Sequence, residues 1–163
     1  MPIQPMENAV QIRRATLPDA GMIAEFNAAM ALETEHLRLD ASRLLAGVEG
    51  LLADPAKGFY LVAERDGQIA GQMMITFEWS DWRNGTFWWI QSVYVRTQFR
   101  GQGVFRALYD HIERLARKTD GICGLRLYVE QTNRRAQATY ERSGMQRCDY
   151  KMYEVDFVIR RGE

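Results

Sequence analysis

The feature that most constrains this chain is the run from Trp89 to Phe105. Here the strand-like segment Ile90-Gln91-Ser92-Val93-Tyr94-Val95 passes through Gln98-Phe99-Arg100-Gly101-Gln102-Gly103 directly into a helical pattern. That pattern places Val104, Leu108, His111, Ile112 and Leu115 on one face, from about Gly103 to Lys118, and a strand-like segment follows from Gly124 to Glu130. Strand, helix and strand in this order make a crossover, and a crossover joins parallel strands. Gly101 and Gly103 have no Cβ, so the loop can turn sharply and admit a ligand close to its backbone. The amides and dipole at the helix start favour an anion. The pattern predicts a diphosphate cradle; the same two glycines would also suit a plain strand-to-helix turn.

The rest of the chain supplies the partners. Ile12–Ala15 is a short extended start. Thr16, Pro18 and Asp19 read as a helix entrance, and Ile23, Phe26 and Met30 continue that helix from about Pro18 to Glu33. Asp40 caps a second helix, in which Leu44, Leu45, Val48, Leu51 and Leu52 repeat until Asp54 and Pro55. Phe59–Glu64, the turn Asp66-Gly67 and Gln68–Trp79 predict a hairpin, and Asn84-Gly85 leads into a third strand, Thr86–Val95. Arg134–Arg142 reads as a short helix closed by Gly144, and the alternation from Tyr150 to Ile159 predicts a last strand. The expected fold is α/β (α+β): a mixed, mostly antiparallel central sheet with helices on both faces. No linker or repeat interrupts it, which points to one domain over residues 1–163.

Composition removes several classes. With 21 Lys+Arg against 21 Asp+Glu the formal charge is zero, so the clustered positive excess that nucleic acid requires is missing. No stretch reaches the ~18 successive apolar residues of a membrane span, and Met1 to Val10 lacks a signal-peptide pattern, so a cytoplasmic protein is expected. Two cysteines, Cys123 and Cys148, are too few for a disulfide framework and lie in no zinc pattern. They are expected to be buried thiols, and no metal is expected.

Known phosphate loops fit poorly. A P-loop needs Lys and Ser or Thr where Val104 and Phe105 stand, and a dinucleotide fingerprint needs a small residue where Arg106 stands. What Gln98, Gly101 and Gly103 resemble, after an aliphatic and aromatic strand, is motif A of the GCN5-related N-acetyltransferase (GNAT) family. Downstream, Asn133, Ala136, Tyr140, Ser143, Gly144 and Met145 resemble the second half of that family's pattern. The resemblance is specific over residues 88–145 and extends over the chain in element order.

The resemblance implies that acetyl-CoA is held where Gln91–Val95 and Leu125–Val129 splay apart, its pantetheine arm pairing with backbone at Val93 and Val95. It further implies that amides of Arg100, Gly101, Gln102, Gly103 and Val104 receive the pyrophosphate, that Asn133 reaches the pantetheine, and that Arg100, Arg134 or Arg135 meets the ribose phosphate. The implied chemistry is direct attack by a primary amine on the thioester, with the Val95 amide steadying the oxyanion and Tyr140 protonating the departing thiolate; the expected acceptor is a small molecule, with a peptide as the second choice. The departure from the family pattern is Gln91, where many relatives carry a Glu as base. Either water and backbone carbonyls carry the proton away, or the base is Glu78 on the hairpin, or Glu33, Glu35 or His36 near the end of the first helix. Gln91 also motivates the alternative of a non-catalytic acyl-CoA binding or sensing module.

All four tryptophans fall between residues 79 and 89. Alternation sends Trp88 and Trp89 to opposite faces. The cluster suits either an aromatic and acidic wall for a cationic amine or an interface in a homodimer.

Overall fold

The computed structural model describes residues 9–159. They divide into two compact units, the first ending at Tyr128 and the second beginning at Val129.

The first unit is a five-stranded sheet in the order β1-β2-β3-β4-β5, formed by Gln11–Arg14, Gly58–Arg65, Gln68–Ser80, Gly85–Val95 and Ile122–Arg126. The first four strands pair antiparallel and β4 pairs parallel to β5, which is the mixed, mostly antiparallel sheet expected. Helix α1 spans Ala20–Glu35, after a 3-10 turn at Leu17–Asp19, and α2 spans Ala41–Leu52. Asp19 turns its carboxylate back to the Thr16 amide at 2.7 Å, and Asp40 caps α2 by accepting from the Arg43 amide at 2.7 Å. These contacts satisfy amides that a helix start leaves without partners.

Helices cover both sheet faces. Ala20 and Ile23 of α1, Val48 and Leu51 of α2 and Tyr60 and Val62 of β2 form one buried cluster. On this face the buried Gln72 of β3 donates to Asn27 of α1 at 2.8 Å. The opposite face receives α3, Val104–Lys118, which buries Val104, Leu108, Tyr109, Ile112 and Ala116. A Cβ added to Gly71 would meet the Val104 side chain at 3.3 Å on that side.

The tryptophans divide as alternation requires. Trp88 is buried against Phe59, at 5.3 Å between ring centroids, while Trp89 lies 5.8 Å from Tyr128 on the other face. Trp79 and Trp82 are exposed.

The second unit contains α4, Arg134–Arg142. Asn133 caps it, accepting from the Ala136 amide at 3.1 Å, and Met145 closes it by donating to the Tyr140 carbonyl at 3.1 Å.

Three expectations need correction. Residues 150–159 form no strand: alternation gives a segment two faces, but a strand exists only with a ladder partner, and none is present among the described residues. The fifth strand covers 122–126 rather than 124–130, because pairing with β4 begins at Thr86↔Ile122 and stops at Trp89↔Arg126. Cys148 is exposed and Cys123 half-buried, so neither is a fully buried thiol.

Candidate active site

The site grows out of β4, whose two ends face different neighbours. Near its start the Thr86 amide donates at 2.8 Å to the Gly121 carbonyl, on the β5 side. Just past its end the Arg96 amide donates at 2.8 Å to the Ala70 carbonyl, on the β3 side. Ten residues separate them, and strict alternation would send both amides the same way. The register supplies the reason: Ile75 pairs with Ile90 and Met74 with Ser92, so Gln91 is an extra residue, a β-bulge. Beyond the bulge the backbone is out of phase, and the N–H and C=O groups of Val93 and Val95 point away from β3.

They point where, among the described residues, no strand pairs with them. Parallel pairing between β4 and β5 ends at Trp89↔Arg126, six residues short of Val95. Val93 and Val95 therefore offer backbone donors and acceptors along an edge that β5 leaves unpaired.

At the end of that edge lies the glycine loop. Thr97–Phe99 form a 3-10 turn, and the Arg100 amide is taken by the Thr97 carbonyl at 3.3 Å. Gly101 and Gly103 have φ of 73° and 81°, values that disfavour any side chain, and a Cβ on either would meet nothing within 4 Å. Gly103 is the N-cap of α3 and has no side chain with which to cap it. The first amide to bond back is that of Ala107, to the Gly103 carbonyl at 2.9 Å. The loop is held from outside: Gln102 donates to the Gln98 carbonyl at 2.7 Å, and Arg65 donates to the Gln102 carbonyl at 3.2 Å. Open space, amides at a 15-residue helix start and fixed loop geometry together suit a phosphate chain.

On the face shared with α1 and α2, the strands carry a polar and aromatic cluster. Gln91 donates to Thr76 Oγ1 at 2.8 Å and accepts from the Tyr128 hydroxyl at 3.4 Å. Glu78 accepts from the Trp89 indole at 3.0 Å and is ion-paired with Arg126, whose guanidinium stacks 3.7 Å from the Phe87 ring centroid. Glu33, in the last turn of α1, accepts from the Tyr94 hydroxyl at 3.2 Å and from Arg100 at 2.8 Å. Burial, followed by the nearby Glu33 charge, pushes the Tyr94 phenol up.

The sequence-derived residues are thus distributed as follows. Gln98, Arg100, Gly101, Gln102, Gly103 and Val104 are contiguous with the Val93 and Val95 edge, and Glu78 lies across the strands from Trp89. Glu35 is exposed at the end of α1. In the second unit Asn133 spends its side-chain oxygen on the helix cap, Arg135 is exposed and Tyr140 is half-buried; burial raises the Tyr140 phenol above its ordinary value. Sequence reasoning missed the Arg126–Glu78 pair and the Arg100–Glu33 pair, which join residues 48 and 67 positions apart and leave no local signal. Among the described residues no group of three or more His, Cys, Asp or Glu side chains is placed to hold a metal, and no helix is long and apolar enough to cross a membrane.

A sequence model of the acetyltransferase (GNAT) family matches residues 22–145. The chain belongs to that family. Among solved structures it is similar to a possible acetyltransferase from Clostridium difficile 630, at 46% identity over 92% of this chain and 99% of the other, with a TM-score of 0.85. The fold is shared more distantly with a ribosomal-protein-alanine N-acetyltransferase from Brucella melitensis biovar Abortus 2308, at 23% identity over 91% and 100% of the two chains and a TM-score of 0.72. An aminoglycoside acetyltransferase from an uncultured soil metagenomic sample, bound to sisomicin, has the same fold at 14% identity over 93% and 97%, with a TM-score of 0.68. No curated protein sequence matches the chain. In this GNAT protein the bulge, the unpaired edge and the glycine loop fall within the matched region.

Proposed function

We propose that this protein transfers the acetyl group of acetyl-CoA to the primary amine of a small molecule by direct attack. The observation that carries the reading is the phase change at Gln91, which turns the Val93 and Val95 backbone towards the edge β5 leaves unpaired, in line with an uncapped helix start.

Val93 and Val95 would pair with the amides of the pantetheine arm, and Gly101, Gln102, Gly103 and Val104 would give their amides to the pyrophosphate. Arg100 suits the remaining phosphate charge, and the family resemblance assigns Arg135 to phosphate and Asn133 to a pantetheine amide. The Val95 amide donates to the thioester oxygen as charge builds there, a contribution of roughly 3 kcal/mol for one well-placed donor. The amine nitrogen bonds to the acetyl carbon, the carbon–sulfur bond breaks, and Tyr140 protonates the leaving sulfur. Burial raises the Tyr140 phenol above its ordinary value, so its hydroxyl carries the proton to be given, and the developing thiolate must draw it off.

Gln91 cannot accept the proton that the amine must lose, since an alkyl ammonium has a pKa of ~10.4. Glu78 and Glu35 are the carboxylates proposed for that task. Glu78 lies on the bulge-bearing face, beside the Trp89 and Tyr128 rings that would flank a cationic amine.

The test is release of CoA thiol from acetyl-CoA across a panel of amines. Amine-dependent thiol release is the expected result. Coenzyme binding without thiol release from any amine would instead establish the non-catalytic acyl-CoA module, which the neutral, hydrogen-bonded Gln91 favours.

A further inference from the structure

The unpaired edge of β4 is crossed by one of its own neighbours. Arg100 folds back so that its Nε donates to the Val95 carbonyl at 2.8 Å, while its Nη2 donates to Glu33 at 2.8 Å. Its guanidinium lies 5.4 Å from the Tyr94 ring centroid, and Tyr94 in turn donates to the other Glu33 oxygen at 3.2 Å. Phe26 of α1 packs on Tyr94 at 5.2 Å between centroids, so the triad is seated on a fixed helix. The Val95 carbonyl is one of the backbone acceptors that the phase change turns towards the opening. Any arm pairing with that edge therefore competes with Arg100.

We propose that Glu33 is a positioning residue that stows Arg100 across the coenzyme edge of β4, and that coenzyme draws Arg100 off both Glu33 and the Val95 carbonyl onto its own phosphate. This rests on the acetyl-CoA reading given above. The exchange is electrostatically easy. Both side chains are substantially exposed, at 37% for Arg100 and 43% for Glu33, so water and salt screen their attraction and the pair is weak. A phosphate offers the guanidinium a more highly charged, bidentate partner. Removal of Arg100 uncovers the Val95 carbonyl for the arm and leaves the Glu33 carboxylate, with Tyr94, at the end of α1. The two halves of the site are thereby linked: α1 gains an unneutralised carboxylate only once coenzyme is in place.

The latch predicts that removing a residue outside the coenzyme's own contacts strengthens coenzyme binding. Calorimetric titration of the full chain with CoA tests this for the wild type, Glu33→Gln, Arg100→Met and the double variant, with the binding stoichiometry reporting the folded fraction of each. Glu33→Gln should bind CoA about threefold more tightly, because the competing partner is lost. Arg100→Met should bind roughly tenfold more weakly. The double variant should match Arg100→Met, since Glu33 has nothing to hold once Arg100 is absent. Affinity of Glu33→Gln equal to or below the wild type overturns the latch, as does an equal gain in the Arg100→Met background. A wild-type chain that does not bind CoA overturns the acetyl-CoA reading and the latch together.

Discussion

Gly71 and Gly124 in the sheet contrast with Gly101 and Gly103 in the loop. At Gly71 an added Cβ would sit 2.7 Å from the Tyr94 carbonyl oxygen, and at Gly124 one would sit 2.7 Å from the Phe87 ring. At Gly101 and Gly103 it would meet nothing within 4 Å, yet the backbone there is left-handed. The sheet glycines are small because a neighbour already fills the space. The loop glycines are small because of the turn they make, and the space beside them stays open. One residue type thus serves packing in the first place and access in the second, and substitutions should separate the two: sheet variants should lose stability, and loop variants should lose ligand.

The sharpest extension of this contrast lies outside both sets. Tyr140→Phe removes the hydroxyl proposed as proton donor and neither packing nor cradle, so kcat should fall roughly 100-fold while the Kd for CoA stays within about twofold of the wild type. Equal losses in both, measured by steady-state kinetics and calorimetry, would remove Tyr140 from the chemistry. Gly103→Glu places bulk and negative charge in the cradle and should weaken CoA binding about 30-fold, for a modest loss of stability from its left-handed φ. Unchanged affinity would break the comparison at the loop.

Asp19 is a control remote from both sets. Its side chain accepts from Arg13 at 2.8 Å and from the Thr16 amide at 2.7 Å, and the Arg13 contact chiefly holds its pKa down at about 2. A depressed carboxylate stabilises the fold fully above about pH 4, and that contribution is lost as pH falls towards 2. Asp19→Asn should therefore cost about 2 kcal/mol at pH 7, flatten the acid limb of a urea-stability profile and leave CoA affinity unchanged. Gly124→Ala should be the smallest effect, about 1.5 kcal/mol of stability from overpacking against Phe87, again with CoA affinity retained. A loss of affinity there would show that the sheet glycines also shape the site.

Sequence alone revealed what is local. The turn at Asp66-Gly67, the cap at Asp40, the amphipathic helix after Gly103 and the glycine loop itself are each written in a few adjacent residues, and each forms as expected. The bulge was not legible, because it is a relation between β3 and β4: nothing in the run Ile90-Gln91-Ser92 says that Ile75 and Met74 pair on either side of it. The stowed Arg100 was missed for the same reason, since its partner Glu33 belongs to a different helix. Residues 150–159 show the converse, a strand-like alternation with no ladder to join among the described residues.

The extra residue at Gln91 has a consequence for how a chain of this kind can change length. Between the Asn84 turn and the glycine loop, one added or lost amino acid would rotate the Val93 and Val95 peptides by half a turn and aim them into β3. Changes in the length of this strand that keep the bulge and the outward aim of these two peptides must therefore come in pairs, so the parity of β4 is a constraint independent of which side chains it carries.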